Sequence, residues 1–217
     1  MISVELATTI KVIQVEAQPL RIVALGTSHT ARGGWQRPLA DTLRTCLGRP
    51  VDVIDHGKSG ANSQWGLGQV PQVAAASPHI VLIEFGANDA ALHSGVSEPA
   101  SRANITAMVR ELRSRVPGVR IVLMAMNPMH GLRGALRPWL DDYYDMHRAL
   151  AADLGVEFVD HRPAWRSMSA DERDRVIPDG VHPEAEAAAA VVVPALADLV
   201  CGKRTGAGRG RHGIVAR

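Results

Sequence analysis

Residues 80–89 read Ile-Val-Leu-Ile-Glu-Phe-Gly-Ala-Asn-Asp. A short, almost wholly apolar run that breaks into a glycine and a polar pair reads as a strand buried on both faces. Four further runs have the same character: Ile22–Leu25, Val51–Ile54, Ile121–Met126 and Val156–Val159. The stretches between them carry helical period. Trp35–Leu47 sets Leu39, Leu43 and Leu47 on one stripe, with Gly48 as a stop signal. Ser101–Val116 aligns Ile105, Met108, Val109 and Leu112 before Pro117 and Gly118. Leu140–Leu154 ends at Gly155, and Glu184–Val200 opens after Pro183, with an interruption or bend expected near Pro194.

Apolar strands alternating with helices imply an α/β fold whose parallel sheet is covered on both faces. Five strands predict a doubly wound, flavodoxin-like three-layer α/β/α sandwich. Such a sheet binds ligands beyond the carboxyl ends of its strands, where the direction of winding reverses. One domain over residues 21–201 is expected. Residues 1–20, with Lys11–Val15, read as an N-terminal arm or an extra edge strand. Residues 202–217 read as a disordered, basic Gly/Arg-rich tail.

The composition supports a globular chain: 217 residues, 46% hydrophobic, 21% charged, 20 Gly, 13 Pro and two Cys. It excludes a disordered chain and a collagen-like repeat, and no apolar run approaches the roughly 20 residues of a membrane helix. The formal charge of +2 is unevenly spread. Residues 202–217 hold five of the 24 basic side chains and no acid, so the remainder carries 19 against 22, a net −3. That body has no basic footprint for nucleic acid. Cys46 and Cys201 lack metal-ligand spacing and read as buried or idle thiols. The N-terminus does not read as a secretory signal, since Glu5 precedes any base and Lys11 interrupts the apolar stretch. A cytoplasmic location is the resulting expectation.

The residues that carry chemistry follow the strands. Gly26-Thr27-Ser28-His29-Thr30 comes after the first. A serine at a strand-to-helix turn exposes its hydroxyl and a free backbone N–H near the positive helix end, which suits a nucleophile; Ser and Thr are equally ordinary helix caps. Asp55-His56-Gly57-Lys58-Ser59-Gly60-Ala61-Asn62-Ser63 follows the second strand. Its glycines permit close approach of backbone to ligand, or simply a turn, and the phosphate-loop spacing is missing. Asn88 after the third strand has an amide able to donate to an oxyanion, and Asp89 is placed to organise the loop, although Asn-Asp is also common turn chemistry. Pro178-Asp179-Gly180-Val181-His182-Pro183 sets a carboxylate and an imidazole three residues apart, so that Asp179 can accept from one ring nitrogen and leave the other free as a base. No metal-ligand set stands out.

Taken together, from Ile22 to Pro183, these pieces resemble the GDSL/SGNH hydrolase family, and the Gly-Ala-Asn-Asp block looks closest to its thioesterase I/lysophospholipase and arylesterase branch. The resemblance implies the SGNH hydrolase fold, no cofactor and a small-molecule ester or thioester substrate. It also implies Ser28 as nucleophile, Asp179 and His182 completing a triad, and an oxyanion hole of Ser28, Gly60 and Asn88. The implied reaction is hydrolysis through an acyl-enzyme. An acyltransferase or a carbohydrate O-deacetylase uses the same residues, and a catalytically weak binding protein could share the scaffold. One departure stands out: the family's Gly-Asp-Ser is Gly-Thr-Ser at 26–28, so the task of pinning the nucleophile turn falls to the neutral Thr27 hydroxyl.

His29 is a rival base, disfavoured because neighbours in a turn do not face one another and no carboxylate is placed to orient it. His56 and His130 read as loop histidines. The segment Asn127–Trp139 lies over the expected site. Met129, Leu132, Leu136 and Trp139 either line an acyl channel or pack the loop onto its own helix, with Arg133 and Arg137 set near an anionic leaving group. Trp65, Met129, His130 and Arg133 are the candidate substrate contacts, and Leu67 shares the ambiguity of Trp65. Oligomeric state is open.

Overall fold

The computed structural model describes residues 18–202. The proposed N-terminal arm or strand and the basic tail lie outside the described residues, apart from Gln18, Pro19, Leu20 and Gly202. Five strands form one sheet: β1 (Leu20–Gly26), β2 (Val51–Gly57), β3 (Ile80–Glu84), β4 (Arg120–Ala125) and β5 (Glu157–Asp160). The order is β2-β1-β3-β4-β5 and every pairing is parallel. The helices are α1 (Ser28–Ala31), α2 (Gln36–Leu47), α3 (Ser63–Ala75), α4 (Gly86–Asp89), α5 (Glu98–Arg115), α6 (Gly131–Ala135), α7 (Leu140–Leu154), α8 (Arg162–Arg166), α9 (Ala170–Val176) and α10 (Ala185–Cys201).

Helices α3, α5 and α7 pack together in one layer, and α2 packs with α10 in another. The result is the expected three-layer α/β/α sandwich, doubly wound about β1. The central strand β3 is buried along its whole length. Val51–Ile54 differs from the expectation of cover on both faces. Among the described residues β2 is an edge strand, and Ile54 is exposed there because no described strand pairs with its outer side.

Helix α10 runs unbroken through Pro194. Its Val191, Val192 and Leu196 are buried in the core, and this burial offsets the hydrogen bond that proline cannot donate. Its C-terminus corrects the reading of the two cysteines as idle thiols. Cys46 in the last turn of α2 and Cys201 at the end of α10 form a disulfide, their Cα atoms 6.3 Å apart. The helices lie side by side with their last turns level, a proximity that spacing along the chain does not reveal.

The topology places the site. Winding reverses at β1, which has β2 on one side and β3 on the other, and the register pairs Gly26 with both Gly57 and Glu84. Three strand ends therefore meet where the chain turns into Ser28.

Candidate active site

Thr27 ends β1 and caps α1, its hydroxyl accepting from the His29 N–H at 3.3 Å. That cap turns the chain sharply and leaves Ser28 as the first helical residue. A side chain at Gly26 would meet the Glu84 carboxyl at 2.1 Å, and one at Gly57 would meet the Ala31 backbone nitrogen at 2.5 Å. Both glycines are therefore required by packing around the turn.

Ser28 Oγ lies 2.7 Å from His182 Nε2, and His182 Nδ1 lies 2.6 Å from Asp179 Oδ2. Asp179 Oδ1 accepts from the backbone N–H groups of Val181 and His182, at 3.0 and 2.7 Å. Burial opposes the charge on Asp179, yet the hydrogen bonds from the His182 ring, its N–H and the Val181 N–H hold the carboxyl well below the usual range. An ionised Asp179 accepts the hydrogen bond from Nδ1–H, which keeps the proton on that nitrogen and leaves Nε2 to accept from the Ser28 hydroxyl. Between them Gly180 adopts φ of +76°, and a Cβ there would lie 2.3 Å from the His130 carbonyl.

On the other side, Asn88 Nδ2 donates to the Ala61 carbonyl at 2.8 Å, joining Asn88 to the loop that carries Gly60. Gly60 has φ of +77°, and Lys58 N–H bonds the Gly26 carbonyl, docking this loop against the end of β1. Asp89 organises the same corner by accepting from Ser63 N–H and the Ser101 hydroxyl.

The segment after β4 straps the two halves together. Asn127 Nδ2 donates to the Val181 carbonyl at 2.9 Å, and His130 N–H donates to the Gly180 carbonyl. Arg133 pairs with Asp179 at 2.8 Å. Arg137 is buried and reaches the Ala87 carbonyl at 2.7 Å and Asn88 Oδ1 at 3.4 Å. It is thus tied to the Asn88 turn and removed from the leaving-group position expected for it.

The apolar members of the segment divide. Met129 is partly buried against the core, whereas Leu132, Leu136 and Trp139 are exposed and do not pack the loop onto its helix. Trp65 is also partly buried against the core. It stacks on His56, meets Phe85 edge-on and lies under the Lys58 ammonium. His56 itself belongs to β2 and not to a loop. Ser28 and His182 border a small hollow whose apolar wall includes Trp35, Met126, Trp165 and Val192.

Two residues were missed in sequence. Glu84 interrupts an otherwise apolar strand, which is itself a signal; it is fully buried under the nucleophile turn. Its Oε1 accepts from Thr27 N–H at 2.6 Å and the Thr30 hydroxyl at 2.8 Å, and the Thr27 hydroxyl lies 3.1 and 3.0 Å from its two oxygens. A carboxyl from β3 thus sits under the turn whose own family Asp is Thr27. His29 was weighed only as a base. It is buried, its ring centroid is 5.7 Å from that of His182, and its Nε2 donates to the Val181 carbonyl at 3.0 Å. Burial and the neighbouring His182 push its pKa down to about 4, so it is neutral.

Among the described residues no cluster of His, Cys, Asp and Glu is arranged to hold a metal, and no helix is long and apolar enough to cross a membrane.

This strand-end constellation is that of a serine ester hydrolase, and the chain's relatives agree. The chain belongs to the GDSL-like lipase/acylhydrolase family, which it matches over residues 22–190, and it is a hydrolase acting on carboxylic esters. It is 31% identical over 193 residues to an isoamyl acetate-hydrolyzing esterase 1 homolog of Bos taurus, covering 75% of this chain and 74% of that one. It is 28% identical over 182 residues to an arylesterase of Vibrio mimicus, covering 77% and 82%. In fold it is similar to a lipase/acylhydrolase from Enterococcus faecalis, with a TM-score of 0.71 at 22% identity over 84% of this chain and 96% of that one. An acetylxylan esterase from Geobacillus stearothermophilus gives 0.68 at 20% identity, over 84% and 94%.

Proposed function

We propose that the chain hydrolyses a small carboxylic ester or thioester through an acyl-enzyme on Ser28. The observation that carries this reading is the continuous chain from Ser28 Oγ through His182 to Asp179, at 2.7 and 2.6 Å. Ser28 Oγ attacks the carbonyl carbon while His182 Nε2 takes its proton, and Asp179 holds the ring tautomer and steadies the imidazolium. The tetrahedral oxyanion is met by the backbone N–H groups of Ser28 and Gly60 and by Asn88 Nδ2, one of whose hydrogens is already held by Ala61 O. Collapse breaks the bond to the leaving group, which takes the proton from His182. Water, deprotonated by the same nitrogen, then releases the acid and restores Ser28.

Of the candidate substrate contacts, His130 meets the Asp179 loop through its N–H on the Gly180 carbonyl, Arg133 pairs with Asp179, and Met129 packs against the core. Trp65 borders the Gly60 loop. The cytoplasmic location expected from the sequence entails a Cys46–Cys201 pair held reduced by cellular thiols, whereas an oxidising compartment keeps it closed. Trapping thiols at the moment of lysis distinguishes the two.

The experiment is labelling by a fluorophosphonate alongside p-nitrophenyl acetate turnover, in the native chain and in Ser28→Ala. Loss of both in a folded variant is expected. Labelling that survives in Ser28→Ala overturns the assignment of the nucleophile.

A further inference from the structure

The tautomer of His29 follows from its two partners. Nε2 faces the Val181 carbonyl at 3.0 Å, so Nε2 carries the hydrogen. The ring is neutral, and Nδ1 therefore needs a donor. The hydroxyl of Thr27 lies 3.3 Å away, and the amide beside the ring, that of Asn127, already gives its Nδ2 hydrogens to the Val181 and Pro128 carbonyls. Once the hydroxyl hydrogen turns toward His29, Thr27 Oγ1 faces Glu84 Oε2 at 3.0 Å with no hydrogen of its own to offer. The contact is then satisfied when Glu84 is protonated and donates to Thr27. Glu84 Oε1 keeps its bonds from Thr27 N–H and the Thr30 hydroxyl in either state. One proton on Glu84 thus satisfies every polar atom in the series; its removal leaves His29 Nδ1 or the Thr27–Glu84 contact without a hydrogen.

We infer that Glu84, Thr27 and His29 form a buried hydrogen-bond relay, running carboxyl to hydroxyl to imidazole, that fixes the Val181 carbonyl and so positions His182. It rests on the reading of His182 as the base, and its members are positioning residues. Val181 is the residue before His182, and its carbonyl accepts from both His29 and Asn127.

The relay responds to pH. Burial raises the Glu84 pKa to about 7, against the pull of its bonds from Thr30 and Thr27. The ionisable groups around it are Tyr144 from α7, whose phenol burial and Glu84 itself keep protonated, and His29. His29 faces His182 and, more distantly, Arg137. No charged group close by holds Glu84 ionised at neutral pH.

Nitrogen NMR of the histidine rings, on the full chain from pH 5 to 9, reads the relay without reference to activity. His29 is expected as the Nε2–H tautomer, its Nδ1 resonance at a hydrogen-bonded value at low pH and moving toward a free imine nitrogen through about 7. Glu84→Gln, which keeps a donor, should abolish that movement and retain turnover within about threefold. Thr27→Val should show free Nδ1 at every pH and lower kcat roughly tenfold at little change in KM, within the 10² that a 1 Å misplacement costs. Thr27→Ser should restore both. An Nδ1–H tautomer, or an Nδ1 resonance indifferent to pH in the native chain, overturns the relay even if Ser28 proves to be the nucleophile. A native chain that does not label, or labelling that survives in Ser28→Ala, with an intact Nδ1 titration would instead leave the relay standing and sink the triad.

Discussion

Arg133 and His182 share one oxygen of Asp179: the guanidinium reaches Oδ2 at 2.8 Å and the ring Nδ1 at 2.6 Å. The Arg133 side chain is more than half exposed, so water screens much of its pull. Arg133→Ala should therefore keep the kcat plateau within about threefold. Steady-state rates of the variant check this, and a fall of 100-fold would make Arg133 part of the chemistry.

Asn88 is held from both ends of its amide, donating to Ala61 O and accepting from Arg137. Its second hydrogen is the one that the proposed oxyanion hole would use. Asn88→Ala should lower kcat about 10²–10³-fold while KM changes little. Turnover within tenfold of the native value, in a variant with a native circular-dichroism spectrum, would remove Asn88 from the oxyanion hole.

Three buried histidines set the acid stability. Burial lowers His29, His147 and His161 to about 4. Their unfolded forms take up protons near 6.5, so each contributes stability that is complete above 6.5 and is lost as pH falls toward 4. Glu84 acts in the opposite sense: its raised pKa gives stability present below 4.5 and lost as pH rises through about 7. Three histidines outweigh one carboxyl between those limits. Urea unfolding should show several kcal/mol less stability at pH 5 than at pH 7. A flat or inverted profile would contradict the burial of these rings.

The Cys46–Cys201 bridge closes a sequence separation of 155 residues at the end of the sheet away from Ser28. By loop-closure entropy, Cys46→Ser should cost roughly 2–5 kcal/mol in denaturant unfolding. Turnover at 25 °C should be unchanged, and a parallel loss of kcat would show that the two ends of the fold are coupled.

The fold is readable because each strand of the sheet interior carries a run of apolar residues, closed in β3 by Glu84, and because α2, α7 and their stop signals Gly48 and Gly155 follow the helical period. Both glycines do end helices in the left-handed conformation. Helix α3 was not readable, since Gly66, Gly68 and Pro71 speak against a helix. It forms because Asn62 caps it and because Gly66 lets Phe85 pack where a Cβ would lie 2.4 Å from the ring. In the candidate site, Ser28, Asp179, His182 and Asn88 stand out in sequence because their types announce chemistry at strand ends. The partners of Arg137 and His29 do not, being groups far away in sequence: the Ala87 carbonyl and the Asn88 side chain for one, the Val181 carbonyl for the other. The disulfide was hidden for the same reason, being a property of how two helices lie and not of spacing.

That bridge also decides how the chain comes apart. Everything from β2 to the last turn of α10, and with it Asn88, Asp179 and His182, lies inside the covalent loop; Ser28 lies outside it, on the short stretch leading to Cys46. A protease that nicks an exposed turn anywhere within the loop therefore yields two pieces that remain one molecule until a reductant is added. Ser28 and His182 stay covalently tethered through such a cut, whereas after a cut between Ser28 and Cys46 only noncovalent contacts, among them the pairing of β1 with β2 and β3, hold the serine beside its partners.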